Sequence, residues 1–510
     1  MFQYFFENTG NADNNLQNKE LFANLKIMNA DKTLIEQMQS YQVINLSLKS
    51  AKQPDMDLSY DCLKEEIARE YKRHMNVYSG LVLEEDKRRF MDIMNRRGER
   101  RDYVTSLRFL SDCLFQVYGQ QVIILIDKYD VPLENAYYQG FYEDMVNFIR
   151  SLFESALKTN PCLEFAIITG CLRISKESIF TGLNNLNVIS ILSNQYDEYF
   201  GFSQEEVNEL IQYYKLEKDA DIIKKWYDGY LFGKCHVYNP WSVINYAAEA
   251  KEGTFTYPKP YWSNTSSNNI VRDLVERADM VMRQQLETLL SGGTIEKPVH
   301  EDITYDTIYD SEENLWSFLF FTGYLKNVSL RLVGREPWIT MSIPNEEIAY
   351  IYDNTIRSWF QDKINTSDLS RMYQAVMDGN ADVFQKELSS LLQKSISYMD
   401  SQESFYHGFL LGILGNMREH IVKSNRESGD GRLDICVRSL DVTQPPAILE
   451  LEISSTFKGM AAACDEALKQ IDEKNYDNWL PEEGYSEVWH YGIAFFKKQC
   501  MVKVRHKIFS

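Results

Sequence analysis

The sequence predicts an α/β protein with a parallel sheet in its first half, a helical middle and a second α/β domain at the carboxyl end. Three observations carry that reading. Val122 to Ile126, within QVIILIDKYD, is a run of five apolar residues, too short for a helix that buries itself and the right length for a central strand covered on both faces. Amphipathic helical patterns alternate with such runs, an order that implies parallel strands joined by right-handed crossovers. From Glu403 onward strand patterns return after a long stretch of helical spacing.

Taken in order, Met1 to Glu7 (MFQYFFE) is aromatic-rich and reads as the end of a helix, so a segment ahead of it is expected. Tyr41 to Leu48 alternates and carries β-branched residues, a strand. Leu58 to Tyr71 and Leu83 to Met94 have helical spacing with charged outer faces. Tyr103 to Tyr118 is a further helix that Gly119 ends, delivering the chain into the Val122 strand. Phe141 to Leu157 is a helix, and Leu163 to Ile168 reads as a second buried strand, followed by Thr169-Gly170-Cys171-Leu172-Arg173. Gly, Thr and two prolines between Gly253 and Pro260 mark a domain edge. Helices follow over Asn269 to Arg277 and Val281 to Leu290. The aromatic stripe around Trp316 reads as core rather than as a base-stacking platform. Further helices continue to Tyr398. In the last third, Phe405 to Ile421 is a helix and Ser424 to Gly431 a turn. Strands follow at Arg432 to Val437 and, introduced by Pro445-Pro446, at Ala447 to Ile453. Lys458 to Asn475 is a helix, and Val488 to Phe496 the last central strand.

A chain of 510 residues holds two to four domains. Its 54 Lys and Arg against 74 Asp and Glu leave a formal charge of -20, so the surface as a whole repels phosphate backbones. Contact with DNA or RNA then needs bound metal ions or a local basic groove; Lys423, Arg426, Arg432 and Lys497 are the residues available for one. The 8 cysteines are scattered and form no Cys-x-x-Cys pair, which points to a reduced, cytoplasmic protein without structural zinc. No apolar run approaches the roughly 18 residues that span a membrane.

The chemistry suggested by the residues themselves sits at the strand ends. Asp127 and Asp130 close the Val122 strand, at the edge of the sheet where open α/β folds place their ligands. An acid in that place holds Mg²⁺ beneath nucleotide phosphates, and a following Glu orients water; here Lys128 follows. The plainer reading is that the two acids end a strand and begin a loop. Thr169 and Arg173, just past the next strand, stand where a sensor of a γ-phosphate would, or else serve as a turn cap and a surface ion-pair partner.

LIDKYDVPLENAY (Leu125 to Tyr137), TGCLRISKESIFTGLNNL (Thr169 to Leu186), SNQYDEYFGFSQEEV (Ser193 to Val207), WYDGYLFG (Trp226 to Gly233) and VYNPWSVINY (Val237 to Tyr246) together resemble a bacterial family of AAA-ATPase-like proteins fused to a PD-(D/E)XK nuclease-like domain. The resemblance implies a P-loop-NTPase-like (AAA-like) domain over 1–255, a helical lid or linker domain over 256–398, and a restriction-endonuclease-like α/β domain over 399–510. It also implies a Walker B pair at Asp127 and position 128, where this chain has Lys128 in place of Glu. A phosphate-binding loop of the RPRRFGKS kind stands in the family shortly before a segment like MFQYFF. No G-x-x-x-x-G-K-[ST] occurs in this sequence, and Gly229 to Cys235 (GYLFGKC) reads as a turn. ATP binding is therefore degenerate, and ATP hydrolysis is not expected of the chain as written.

In the nuclease-like domain the resemblance implies that Asp434 (GRLD) and Glu450 (AILELEIS) lie on adjacent strands and share Mg²⁺. Gln470 matches the family's Q-I helix and His407 its Y-H at the first helix. The family's E-x-K becomes Glu450-Leu451-Glu452, an acid where a lysine helps position water. Lys458 or Lys469 could substitute for that lysine from a neighbouring helix, or Glu452 could act as a further metal ligand. Two functions follow: metal-dependent hydrolysis of nucleic-acid phosphodiesters, weakened or lost, or a catalytically silent scaffold that keeps both folds to bind a protein partner.

Overall fold

A computed structural model describes the chain except residues 172–178, 181–182, 184, 252–256, 265–268, 278–279, 367, 395–402, 418–419, 429–430, 440 and 510. The chain divides into two compact units. The first comprises Met1–Tyr199, Leu231–Cys235 and Lys297–Ile339; the second comprises Phe200–Tyr230, His236–Glu296 and Thr340–Ser510.

The first unit is built on three parallel strands, β1 (Gln42–Ser47), β2 (Val122–Asp127) and β3 (Leu163–Thr169), with β2 in the centre. Val122 to Ile126 are buried, as five apolar residues in the middle of a covered sheet must be. The order β1-β2-β3 puts β3 at an edge, so its side chains are only half buried and the expectation of a second buried strand is corrected. Register brings Ser47, Asp127 and Thr169 level at one end. Helix α1 (Met56–Arg73) is held at its start by Asp55, whose carboxylate accepts the Leu58 N–H at 2.8 Å. The pattern over Tyr103 to Tyr118 is two helices rather than one, Arg100–Val104 and α2 (Ser106–Tyr118), and α2 ends on Gly119 at φ +70. Helix α3 (Tyr142–Leu157) returns the chain to β3. The opening aromatic segment is a short helix, Phe2–Phe6, tied to the start of β1 by the Asn8 N–H donating to the Tyr41 oxygen at 2.8 Å. Arg73 closes that corner, bonded to Glu7, Glu70 and the main-chain oxygen of Val43.

The middle of the chain is mainly helical, and Trp316, Phe318 and Phe320 of helix Glu312–Phe321 are buried as core. It also carries strands that helical spacing does not announce, Ile295–Pro298, Lys326–Val333 and Glu336–Ser342, with the last in the centre.

The second unit ends in a five-stranded mixed sheet made of β4 (His420–Ser428), β5 (Gly431–Ser439), β6 (Ala447–Ile453), β7 (Glu487–Phe496) and β8 (Gln499–Ile508), in the order β8-β7-β6-β5-β4. All neighbours are antiparallel except β6 and β7. Three helices, α4 (Ser370–Met377), α5 (Ala381–Lys394) and α6 (Glu403–Leu414), cover one face, packing Met372, Phe384 and Leu410 on Ile435, Leu449 and Ile493. Helix α7 (Met460–Glu473) and the turn after it cover the other, where Ile471, Tyr476 and Leu480 meet Cys436, Ile448 and Val488. Helices α4 and α5 lie before residue 399 in the chain and share this core.

Two expectations in this region are corrected. The helix expected to reach Ile421 ends at Leu414, next to Gly415. The turn expected from Ser424 is instead the second half of β4, whose main chain is satisfied by pairing with β5, Lys423 opposite Cys436 and Ser424 opposite Ile435. Val488 to Phe496 is the last central strand, as expected, and an edge strand, β8, follows and pairs along its whole length. Among the described residues no disulfide forms, and no helix is long and apolar enough to cross a membrane.

Candidate metal centre

In the antiparallel ladder of β5 and β6, Ile435 pairs with Leu449 and Cys436 with Ile448. The paired ladder stops at Ile435 and Leu449, and Asp434 and Glu450 follow at its open end, where side chains take over the main-chain bonds. Odd-numbered residues of β6 enter the core with α4 to α6, so Glu450 and Glu452 project to the α7 face. Glu450 is 2% exposed and Asp434 half buried.

The two acids hold each other's main chain. The Leu451 N–H donates to Asp434 Oδ2 at 2.9 Å, and the Asp434 N–H approaches Glu450 Oε2 at 3.4 Å. From α7 the Gln470 side-chain amide donates to Glu450 Oε1. The Tyr476 hydroxyl bonds Gln470 in turn; burial pushes that phenol up, the bond to Gln470 pulls it down, and the carboxylates of Glu450 and Asp434 push it up, so it stays neutral. From the opposite face His407 Nε2 lies 3.1 Å from the main-chain oxygen of Asp434.

Helix α7 comes this close because of Gly492. It pairs with Glu450 across β6 and β7, and a Cβ there would run into the main-chain oxygen of Cys464 on α7. Only the missing side chain allows the helix to settle deeply enough for Gln470 to touch a strand acid.

A family model described as predicted AAA-ATPase matches residues 1–180, and one for the PD-(D/E)XK nuclease superfamily matches residues 401–505. The chain is a fusion of an AAA-ATPase-like domain with a PD-(D/E)XK nuclease-like domain. A curated relative, an uncharacterized protein encoded in the vnfD 5′ region of Azotobacter chroococcum mcd 1, is 25% identical over 231 residues, 45% of this chain and 42% of that protein. The chain thus spans less than half the length of the curated relative it matches. No solved structure matches.

Within the nuclease-like domain, four of the expected residues converge: Asp434, Glu450, Gln470 and, through the main chain, His407. Glu452 shares the face of Glu450 one step along β6, opposite Ala494. Lys469 does not replace the missing lysine. It projects outward on α7, 3.2 Å from Glu473 and 3.8 Å from Glu466. Lys458 is exposed in the turn before α7. The basic residues considered for a groove are not brought together either. Lys423 lies on edge strand β4, Lys497 turns the chain between β7 and β8 on the other side of the sheet, and the side chains of Arg426 and Arg432 lie outside the described residues. Tyr476 was missed by sequence reasoning; its position six residues beyond Gln470, past the end of α7, carries no periodic signal.

In the AAA-ATPase-like domain the strand end is closed by its own groups. Thr169 Oγ1 donates to Asp127 Oδ1 at 2.8 Å, and buried Asp130 accepts the Cys171 N–H at 2.8 Å. Lys128 adopts φ +60, with its Nζ 3.9 Å from Cys171 Sγ. Arg173 lies outside the described residues.

The donor set of the nuclease-like domain suits a hard divalent cation. Among the described residues no group of three His, Cys, Asp or Glu is placed to hold a metal ion. Asp434 and Glu450 are oxygen donors of the kind such a cation takes.

Proposed function

We propose that the nuclease-like domain binds Mg²⁺ or Mn²⁺ through Asp434 and Glu450 and engages a nucleic-acid phosphodiester, with hydrolysis weakened or lost. The supporting observation is that the Asp434 and Glu450 side chains each bond main chain of the other's strand, and that both carboxylates act on Tyr476 beyond α7. A divalent cation held there supplies a more acidic water and offsets charge on the phosphate. The chain's own part is to present the carboxylates. Asp434 is fixed by the Leu451 N–H, and Glu450 is oriented by the Gln470 amide, so neither must reorganise when phosphate arrives.

Glu452 works against cleavage. On the face of Glu450 and half buried, it adds negative charge beside the incoming phosphate and cannot serve as the ammonium donor of an E-x-K site. That observation favours a second reading, in which the domain binds nucleic acid or a protein partner without cutting. A nicking assay separates the two. Purified protein is incubated with supercoiled DNA and Mg²⁺ or Mn²⁺. Cleavage abolished by Asp434→Ala supports the enzyme; no cleavage, with none gained in Glu452→Lys, supports the binding protein.

The front domain contributes Asp127, Asp130, Thr169 and Arg173 as the remains of a nucleotide site, with Lys128 removing the water-orienting acid. ATP hydrolysis is not part of the proposal. A cytoplasmic location follows from the scattered, reduced cysteines.

A further inference from the structure

Beyond the two carboxylates, the α7 side of the sheet holds a buried ionic cluster that the metal reading does not use. Asp477 is 2% exposed and His490 0% exposed. Asp477 Oδ2 lies 2.6 Å from Lys507 Nζ on β8 and 3.1 Å from His490 Nε2 on β7. Burial alone would raise this carboxyl, but hydrogen bonds and charge from His490 and Lys507 outweigh it and hold it down at about 2. Asp472, at the end of α7, pairs with Arg505 at 2.6 Å, and Asp465 near its middle with Lys503 at 2.6 Å. Lys503, Arg505 and Lys507 alternate along β8 and so share one face. Each meets one acid of α7 or of the turn that follows.

The three rungs differ in burial. The Lys503–Asp465 and Arg505–Asp472 pairs are open to water, where an ion pair contributes little. Asp477 is enclosed, its carboxylate lying between the His490 ring and the Lys507 ammonium, and a buried charge so paired is costly to displace. Its neighbour in the chain is Tyr476, whose hydroxyl bonds Gln470, which bonds Glu450. The link is therefore continuous from Lys507 and His490 through the main chain at Asp477 to a carboxylate of the candidate centre.

We propose that Asp477 is a positioning residue of the metal centre, its clamp to His490 and Lys507 fixing Tyr476 and Gln470 so that Glu450 is presented to the cation. This rests on the metal-binding reading, and the test keeps the two apart. Full-length protein carrying 3-fluorotyrosine at position 476 is compared with Asp477→Asn and Lys507→Met in the same background. The ¹⁹F resonance is read without metal, Mn²⁺ affinity by calorimetry, and folding by thermal melting. The clamp predicts that Asp477→Asn shifts or broadens the fluorine signal and weakens Mn²⁺ about 10-fold or more, the range found when groups that orient a ligand are lost. Lys507→Met, whose side chain is partly exposed, keeps the fold and moves both readouts in the same direction to a smaller extent. An unchanged fluorine signal in both variants overturns the proposal, as does wild-type Mn²⁺ affinity in Asp477→Asn. If the parent protein binds no Mn²⁺ while the fluorine signal still moves, the clamp stands and the metal reading fails.

Discussion

The strand end in the front domain and the strand pair in the back domain each carry one charge reversal against the family pattern, Lys128 and Glu452, but the surroundings differ. At the front, the acids are consumed by their own neighbours: Thr169 caps Asp127, the Cys171 N–H occupies Asp130, and Lys128 sits in a left-handed backbone conformation. At the back, Asp434 and Glu450 each bond main chain of the other's strand, and a helix drawn in at Gly492 brings an amide to Glu450 with a phenol bonded behind it. Lys128 stands in the loop that follows β2, whereas Glu452 stands on β6 itself, on the face of Glu450, so loop conformation places the one charge and strand alternation the other.

The comparison breaks most directly at the carboxylates. Asp434→Ala and Glu450→Ala should each lower Mn²⁺ affinity by at least about 100-fold, since losing a ligand costs more than losing a group that orients one; Asp127→Ala should leave it unchanged. Calorimetry on the three variants decides, and an equal loss from Asp127→Ala would dissolve the contrast.

A pH series sharpens it, using Glu347 as a buried carboxyl without the cations that surround Asp477. Burial pushes Glu347 up to about 7, against hydrogen bonds from the Trp262 N–H and the Ser242 hydroxyl. The folded state then holds this proton more tightly than the unfolded chain, whose value is near 4.5. Stability should fall as pH rises from about 4.5 to about 7, by up to roughly 3 kcal/mol, and Glu347→Gln should flatten the slope in urea titrations. Asp477 has the opposite sign. Its folded value lies below the unfolded one, so its contribution is present above about pH 4 and is lost as pH falls toward 2.

Gly492→Ala asks whether the close approach of α7 matters. Overpacking there should cost about 1–3 kcal/mol in denaturant melts and weaken Mn²⁺ binding as Gln470 withdraws. A variant as stable as the parent would show that the helix can shift freely. The smallest effect belongs to the front. Lys128→Gly relieves the left-handed conformation and should alter stability by no more than about 1 kcal/mol, with no gain in nucleotide hydrolysis.

Much of this was legible in the residues. The apolar run of β2, the Gly119 stop and the strand around Glu450 follow from local pattern, because burial and helix termination act over a few neighbours. Less was legible where pairing overrode propensity. Residues 420–428 read as helix end and turn but form a strand, since β5 supplies their hydrogen-bond partners. Local pattern drew no element over β8 either, whose alternating Lys503, Arg505 and Lys507 are set against acids from α7 and the following turn. The possible rescue of the E-x-K site by Lys469 failed for a reason only geometry supplies, its salt bridges along the outer side of α7.

By itself, then, the order of residues determined the fold class and the paired domains, because composition, short-range periodicity and motif resemblance carry those; the resemblance also named the acids of the proposed site. Only the tertiary structure decided that Asp434 and Glu450 bond each other's strands, that Gly492 admits α7, and that Asp477 lies buried against Lys507 of β8. Those facts depend on strand register and helix depth, which contacts between residues distant in the chain establish.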